Sequence, residues 1–280
     1  MQSPLISPQQ LNQLLGQANT IVLDASINFK IPNEQPKVHG AVIPTAVKFD
    51  YDKVFCDQES ALPHMFPSEA DFNTKAKELG LNNESIIVVY DNAGTYASPR
   101  AWWMLKAMGH KEVYVLDGGL PAWIEEGYMV NKVYRKEKEL GNFEGKLDPD
   151  YFINADKVNQ FSSLQSAHIL DARSQQRFDS LVPEPREGLR SGHIPNSICL
   201  PFSEVMSGGK LKQPKDLTLV FDKLSLIDDK PMIFSCGSGV TACIILLAAY
   251  IIQRPNPMGI YDGSWTEWGA NQSLPISVTE

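Results

Sequence analysis

Short, continuous apolar runs alternate with helical patterns along the chain. The runs IIVVY at 86–90 and PMIF at 231–234 are rich in β-branched or aromatic residues, which is typical of strands buried on both faces. The segments that follow, PRAWWMLKAMG at 99–109 and TACIILLAAYII at 241–252, predict helices. Strands followed by crossover helices predict parallel sheets, so the expected fold is α/β, with each sheet flanked by helices.

The pattern occurs twice in the chain at a nearly constant distance. Four pairs of landmarks are Asp24 and Asp171, 147 residues apart, and, each 145 residues apart, Asp91 and Cys236, Asp117 and Asp262, and Trp123 and Trp268. Such long-period similarity predicts two homologous domains. We place the first at residues 1–135, a charged linker at 136–150 and the second domain at 151–280.

The strongest candidate for chemistry is Cys236, in the segment FSCGSGVTAC at 234–243. A predicted buried strand ends there, a loop with Gly237 and Gly239 follows, and an apolar helix begins. Ligands of open α/β sheets bind at the carboxyl ends of strands. The glycines allow successive N–H groups to point at one spot, and such a nest at a helix N-terminus stabilises negative charge. We therefore expect Cys236 to be a thiolate near neutral pH and a site for a persulfide.

The other cysteines, Cys56, Cys199 and Cys243, are interpreted as structural. A phosphatase would also use a cysteine in an anion-binding loop, but it needs an arginine six residues after the cysteine. That position is Ala242, which disfavours phosphoryl transfer.

Composition and charge limit the other functions. The net charge is −8, which disfavours general binding of nucleic acid, so an anionic substrate needs a local positive cluster. Four cysteines in 280 residues do not form a disulfide scaffold. The longest apolar run is too short to span a membrane. Since residues 1–10 do not resemble a signal peptide, we expect a cytoplasmic protein.

Three segments resemble the tandem-rhodanese sulfurtransferases: CGSGVTAC at 236–243, RFDSLVPEPREGLRSGHIPNS at 177–197 and LDGGLPAW at 116–123. The resemblance covers about Ile21 to Trp268. It implies that the first domain is inactive, in agreement with Asp91 at the position of Cys236. It also implies that the loop residues bind the substrate, namely Gly237, Gly239, Val240 and Thr241.

The sulfur donor is inferred from the same loop. Thiosulfate enzymes of the family carry two cations after the cysteine, whereas the 3-mercaptopyruvate enzymes carry loops like the Gly237-Ser238 sequence found here. The resemblance also implies that Arg177 and Arg186 bind the substrate, because arginine matches a carboxylate bidentately. Arg173 is interpreted as a structural ion-pair partner, and His193 as a structural hydrogen-bonding residue.

A proton relay is implied by the segment FDYDKVFCDQESALPHMFP at 49–67. By resemblance, Asp52 and His64 work with Ser238 near the substrate, and a histidine suits proton transfer near pH 7. The 12-residue distance from Asp52 to His64 is one residue longer than the family spacing.

The resemblance implies a two-step transfer of sulfur from a small-molecule donor through Cys236, with pyruvate released. Thioredoxin, small thiols and cyanide are the implied acceptors. Neither a metal nor an organic cofactor is expected, because the persulfide carries the sulfur. The alternatives are thiosulfate as donor and a non-enzymatic persulfide carrier, although a carrier needs no carboxylate-binding arginines.

Overall fold

A computed structural model describes residues 3–32, 34–136, 139–227 and 229–279. The chain forms two compact units. Unit 1 contains Met1–Glu59, Phe66–Asp148 and Ser207–Leu211, and unit 2 contains Ser60–Met65, Pro149–Met206 and Lys212–Glu280. Each half of the sequence therefore contributes one short segment to the other unit. The predicted linker at 136–150 includes residues 137 and 138, which lie outside the described residues.

Unit 1 is built on a five-stranded parallel sheet in the order β1-β5-β4-β2-β3. Its strands are β1 (Leu5–Ile6), β2 (Thr20–Asp24), β3 (Val47–Lys48), β4 (Ile86–Tyr90) and β5 (Val113–Leu116). Its helices are α1 (Pro8–Leu14), α2 (Glu69–Glu78), α3 (Ser98–Ala107) and α4 (Gly119–Glu125).

Unit 2 repeats this arrangement in the strand order β6-β12-β11-β7-β8, again parallel. The strands are β6 (Phe152–Ile153), β7 (His168–Asp171), β8 (Ser197–Cys199), β11 (Met232–Ser235) and β12 (Met258–Tyr261). The helices are α5 (Ala155–Leu164), α6 (Gln175–Phe178), α7 (Pro214–Asp222), α8 (Ala242–Ile251) and α9 (Ser264–Trp268), with a 3-10 turn at Phe202–Val205. A two-stranded ribbon is formed by β9 (Met206–Ser207) and β10 (Lys210–Leu211), and its residues from Ser207 onward belong to unit 1.

The continuous apolar runs become the inner strands of the two sheets, and the predicted α/β fold is confirmed. In β4 every residue after Ile86 is buried, and all of β11 is buried. Helix α8 buries every residue from Ala242 to Ala249, because its whole circumference is apolar. A strand covered on both faces has apolar side chains removed from water on both sides of the sheet. Such a strand therefore shows no alternation of apolar and polar residues.

Tryptophans complete the core of each unit. In unit 1, Trp123 is buried with Leu11 and Tyr90, and its Nε1 donates to the carbonyl of Met129 over 2.8 Å. In unit 2, Trp265 and Trp268 are fully buried. No helix in the described part of the chain is long and apolar enough to cross a membrane.

Candidate functional site

Cys236 lies at the carboxyl end of β11, the middle strand of the unit 2 sheet. The loop that follows leads into α8 at Ala242, and Gly239 has a φ of +73°, a conformation that favours glycine. Cys236 is 2% exposed. This is the strand–loop–helix arrangement that the sequence predicts, so the sulfur lies where ligands of parallel sheets bind.

Four hydrogen bonds join the start of the loop to residues of α9. The N–H of Cys236 donates to Ser264 Oγ over 3.2 Å, and its carbonyl accepts from the N–H of Trp265 over 2.9 Å. The carbonyl of Gly237 accepts twice from Thr266, from N–H over 2.9 Å and from Oγ1 over 2.6 Å. The two peptide groups at the nucleophile are therefore held in one conformation.

Arg177, on α6, lies beside this loop. A Cβ placed on Gly237 would be 3.5 Å from Arg177 Nη2, so the guanidinium is next to the glycine. Arg177 donates to Glu184 from Nε over 3.2 Å and from Nη2 through a short contact. The Glu184 side chain is only 1% exposed. Glu184 thus fixes the Arg177 side chain and balances its charge.

Glu184 also contacts Arg173, which is buried deeper. Arg173 binds Asp171 through two nitrogens, donates to Glu184 over 2.7 Å, and stacks 4.1 Å from the Trp265 ring. Coulombic attraction to these carboxylates raises the pKa of Arg173 despite the opposing effect of burial. The structure places Arg173 as a buried ion-pair partner, as expected. Sequence reasoning missed Glu184, although its position between two candidate arginines in VPEPR was a usable signal.

Arg186 is exposed, and its Nη1 donates to Thr266 Oγ1 over 3.0 Å. Since Thr266 also binds Gly237, one hydroxyl joins this arginine to the loop. The structure therefore brings Arg177 and Arg186 to the same loop as Cys236. Sequence reasoning did not single out Thr266.

The remaining predicted loop residues differ in exposure. Val240 is 2% exposed, whereas Gly237, Ser238 and Thr241 are half-buried. Thr241 is the residue that immediately precedes α8. Ser238 is thus partly accessible to solvent.

The structure places Asp52 and His64 in different units. His64 lies in Ser60–Met65, the segment that belongs to unit 2, is 4% exposed and has a φ of +62°. Asp52 belongs to a turn in unit 1, where its N–H donates to Asp50 Oδ1 over 3.0 Å. Of the two, His64 is in the unit that carries Cys236.

Two of the other cysteines have a raised pKa, and the third is buried in a helix. Burial, with a further contribution from Asp171, raises the pKa of Cys199 to about 12. Burial also raises the pKa of Cys56. Cys243 is fully buried in α8, where its Sγ lies 3.3 Å from the carbonyl of Gly239.

The equivalent loop of unit 1 contains a complete anion nest. Asp91 follows β4 as Cys236 follows β11, and it is 1% exposed. Burial raises the pKa of Asp91, and the hydrogen bonds to its carboxylate oppose that rise. The donors to its two oxygens, at 2.8–3.1 Å, are the N–H groups of Ala93, Gly94, Tyr96, Ala97 and Ser98, and Ser98 Oγ.

Two sheets of the same strand order, a cysteine at the start of a glycine-containing loop and an aspartate at the equivalent position define a class of protein. The sequence profile of the Rhodanese-like domain matches residues 7–126 and again 154–271. The chain belongs to this family and contains its domain twice, which confirms the predicted family.

The relatives fall into one enzyme class. The chain is 36% identical to Thiosulfate/3-mercaptopyruvate sulfurtransferase 1, mitochondrial, from Arabidopsis thaliana, over 99% of this chain and 79% of that protein. It is 40% identical to the 3-mercaptopyruvate sulfurtransferase of Escherichia coli (strain K12), over 84% and 82%. The crystal structure of SseA, a 3-mercaptopyruvate sulfotransferase from Escherichia coli, matches with a TM-score of 0.82 and 33% identity, over 94% of this chain and 99% of that chain. These similarities confirm the predicted class, a transferase of sulfur-containing groups.

Proposed function

We propose that this protein takes a sulfur atom from 3-mercaptopyruvate onto Cys236 and passes it to a thiol acceptor. The observation that carries the proposal is the position of two arginines at one nucleophile loop. Arg177 lies beside Gly237, and Arg186 reaches the same residue through Thr266. Such a pair suits a small α-keto acid, which presents one carboxylate and one keto oxygen.

In the first step, the Cys236 thiolate attacks the sulfur of 3-mercaptopyruvate. The new S–S bond forms as the C–S bond breaks, and the electron pair of that bond leaves with the three-carbon fragment as pyruvate enolate. A proton then converts the enolate into pyruvate, while the persulfide on Cys236 loses its own proton. In the second step, an acceptor thiolate attacks the outer sulfur and releases the Cys236 thiolate.

The N–H groups of the loop stabilise negative charge on the sulfur. The support comes from unit 1, where the equivalent loop surrounds the Asp91 carboxylate with N–H donors. Counting 145 residues onward, the corresponding residues in unit 2 are Ser238, Gly239, Thr241, Ala242 and Cys243, and of these the N–H of Cys243 donates to the carbonyl of Val240 over 3.1 Å. The N–H groups of the first four are the proposed donors to the sulfur. Preorganised donors of this kind favour a thiolate and a persulfide anion over their neutral forms.

The two arginines differ in the charge of their hydrogen-bond partners. Arg177 is paired with the buried Glu184, so it contributes directed N–H donors with little net charge. The contact described for Arg186 is with a neutral hydroxyl, so its positive charge is available to an anion. We assign the donor carboxylate to Arg186. Arg177 then faces the keto oxygen, which gains negative charge as the enolate forms.

His64 is the proposed proton carrier. Helices α2 and α7 begin after Ser68 and Gln213, again 145 residues apart, so His64 corresponds to Gly209. In unit 1 the carbonyl of Gly209 accepts from the N–H of Thr95, within the Asp91 loop, over 2.8 Å. Gly209 and His64 share a positive φ, +80° and +62°. This repeat supports the proposal that His64 lies next to the Cys236 loop, with Ser238 as its partner. It gives less support to a role for Asp52 in the proton relay.

The finer assignments follow the sequence predictions. The proposed acceptors are thioredoxin or small thiols, with cyanide as a substitute, and the proposed compartment is the cytoplasm. Residues 1–135 and 151–280 are the proposed domains, joined by a linker at 136–150. No bound cofactor takes part in the proposed steps.

Thiosulfate is the second candidate donor, because the Arabidopsis thaliana relative is named for both donors. The loop favours 3-mercaptopyruvate, since Gly237 and Ser238 supply no cation for a doubly charged anion. A non-enzymatic persulfide carrier has less support, because it would have no use for the arginines.

The test is the mass of the protein after incubation with either donor. Reduced wild type and Cys236→Ser are treated with 3-mercaptopyruvate or thiosulfate, and intact masses are recorded. We expect a gain of one sulfur, roughly 32 Da, on wild type only and faster with 3-mercaptopyruvate. Faster loading from thiosulfate would overturn the donor assignment. If neither protein gains sulfur from either donor, the proposed mechanism is wrong.

A further inference from the structure

Thr266 connects two parts of the candidate site through one side chain. Its Oγ1 donates to the carbonyl of Gly237 over 2.6 Å and accepts from Arg186 Nη1 over 3.0 Å. Because the hydroxyl has a single proton, the donor role toward Gly237 leaves a lone pair for the arginine, and both contacts are satisfied together. The exposed Arg186 is thereby held to the residue that follows the nucleophile.

The inactive unit provides a comparison at the same position. The N–H of Leu120 donates to the carbonyl of Asp91 over 2.9 Å, as the N–H of Trp265 donates to Cys236 over 2.9 Å. The next residue is Pro121 in unit 1 and Thr266 in unit 2. Proline has neither an N–H nor a hydroxyl, so it can make none of the contacts of Thr266. The shared contact is therefore part of the fold, whereas those of Thr266 occur in the unit with the nucleophile.

An arginine side chain has several rotatable bonds, and fixing it costs conformational entropy. A residue that holds the guanidinium in place before the donor arrives reduces that cost on binding. The contact from Thr266 also ties the position of Arg186 to the position of the loop. The distance between the carboxylate-binding group and the sulfur is thus set by one side chain.

We propose that Thr266 is a positioning residue for the sulfur donor, acting by fixing Arg186 relative to the Cys236 loop. The proposal rests on the proposed function, in which Arg186 binds the donor carboxylate. Thr266 itself does not touch the reacting atoms. Its effect is on the binding of the donor and not on the acceptor step.

The test compares Thr266→Val with Thr266→Ser in steady-state kinetics. Valine keeps the shape and the backbone N–H contact to Gly237 but lacks the hydroxyl, whereas serine keeps the hydroxyl. For Thr266→Val we expect a roughly three- to tenfold rise in the KM for 3-mercaptopyruvate, as for the loss of one hydrogen bond, with kcat and the KM of the acceptor thiol within about twofold of wild type. Thr266→Ser should restore the wild-type KM.

Thr218→Val is the matched control. Thr218 is exposed on α7 and donates its hydroxyl to the carbonyl of Pro214 over 3.0 Å, so the variant also loses a contact from side chain to backbone. We expect its KM to equal that of wild type. Thermal unfolding of every variant shows whether a change in KM accompanies a loss of folded protein. If Thr266→Val does not fold, Thr266→Ala replaces it in the same comparison.

Two results would overturn the proposal: an unchanged KM in Thr266→Val, or a KM in Thr266→Ser as high as in Thr266→Val. Persulfide formation on wild type is measured first. A wild type that does not load from 3-mercaptopyruvate refutes the proposed function. A wild type that loads, together with unchanged variants, refutes only the role of Thr266.

Discussion

The loops after β4 and β11 occupy the same place in two similar sheets but differ in the side chain with which each loop begins. In unit 1 the N–H groups of the loop are bound by the carboxylate of Asp91, a side chain of the loop itself. In unit 2 the residue at that position is Cys236. The loop of unit 1 thus supplies its own carboxylate acceptor, whereas the loop of unit 2 has a cysteine at that position.

The two units share a scaffold and differ at individual positions next to the loop. The sheet order, the strand–loop–helix sequence and the contact from the following helix are common to both units. The buried arginine is not: counting from Asp171 and Asp24, the position of Arg173 is occupied in unit 1 by Ser26, whereas the position of Arg177 is occupied by Lys30. Unit 1 thus lacks the cysteine and the buried arginine but keeps a positive charge at the position of Arg177.

The largest effect is expected from making the unit 2 loop resemble that of unit 1. Cys236→Asp should abolish persulfide formation completely, because a carboxylate cannot carry sulfane sulfur and would occupy the nest. Intact mass after treatment with 3-mercaptopyruvate measures this. Cys243→Ala, a change inside α8, is the control and should still gain sulfur. Sulfur on Cys236→Asp would show that another cysteine is the nucleophile.

Arg186→Ala should lower kcat/KM for 3-mercaptopyruvate by roughly 10²–10³-fold, the usual cost of removing a charged group that meets developing or fixed negative charge. Arg186→Lys keeps the charge but loses the planar fork, and we expect it to recover only part of the loss. The control is the reaction of preformed persulfide with the acceptor thiol, which should not change. Equal kcat/KM for wild type and Arg186→Ala would remove Arg186 from the site.

Asp91→Asn tests the filled nest of unit 1. An amide replaces one carboxylate oxygen with a donor, so several buried N–H groups lose their acceptor. We expect a loss of about 2–4 kcal/mol in the free energy of unfolding, measured in urea. Persulfide formation per folded molecule should stay the same. An unchanged free energy of unfolding would mean that the hydrogen bonds of Asp91 do not stabilise the unit.

Asp91→Cys extends that test in a background that carries Cys236→Ser. The cysteine would then stand in a nest without the arginines of unit 2. We expect no sulfur at position 91, because the nest alone does not bind the donor. Sulfur at that position would show that the nucleophile is sufficient and that the arginines are dispensable.

The smallest expected effect is on stability in mild acid, in both units. Burial lowers the pKa of His110 in unit 1 and of His168 in unit 2, and His168 Nε2 accepts from the N–H of Ile227 over 2.8 Å. The unfolded chain therefore binds more protons than the folded one below pH about 6.5, so stability is full above that pH and falls as the pH decreases. Urea unfolding at several pH values measures this, and His168→Gln should flatten the dependence.

The sequence predicts most of the scaffold because the relevant signals are local. The runs at 86–90 and 231–234 coincide with β4 and β11 within one residue, and the apolar segment after Cys236 forms α8. The nucleophile loop is also a local signal, since strand, glycines and helix are contiguous. The nearly constant distance between the repeats then extends each assignment from one unit to the other.

The contacts that shape the site are not local, and the sequence predicts them poorly. Thr266 meets Arg186 across 80 residues, and nothing near either residue in the sequence indicates the pairing. Glu184 lies close in sequence to Arg173 and Arg177, but only the fold shows that it pairs with both of them. The assignment of Asp52 and His64 to different units is likewise visible only in the fold.

The short segment Ser207–Leu211 has a consequence for the synthesis of the protein. The nascent chain emerges from the ribosome with its N-terminus first, and domains generally begin to fold as they emerge. Unit 1 needs the carbonyl of Gly209 as the acceptor for the N–H of Thr95, so it lacks this contact until more than 110 further residues have been translated. A nascent chain that ends at the proposed linker should therefore be more sensitive to protease at the Asp91 loop than the finished protein.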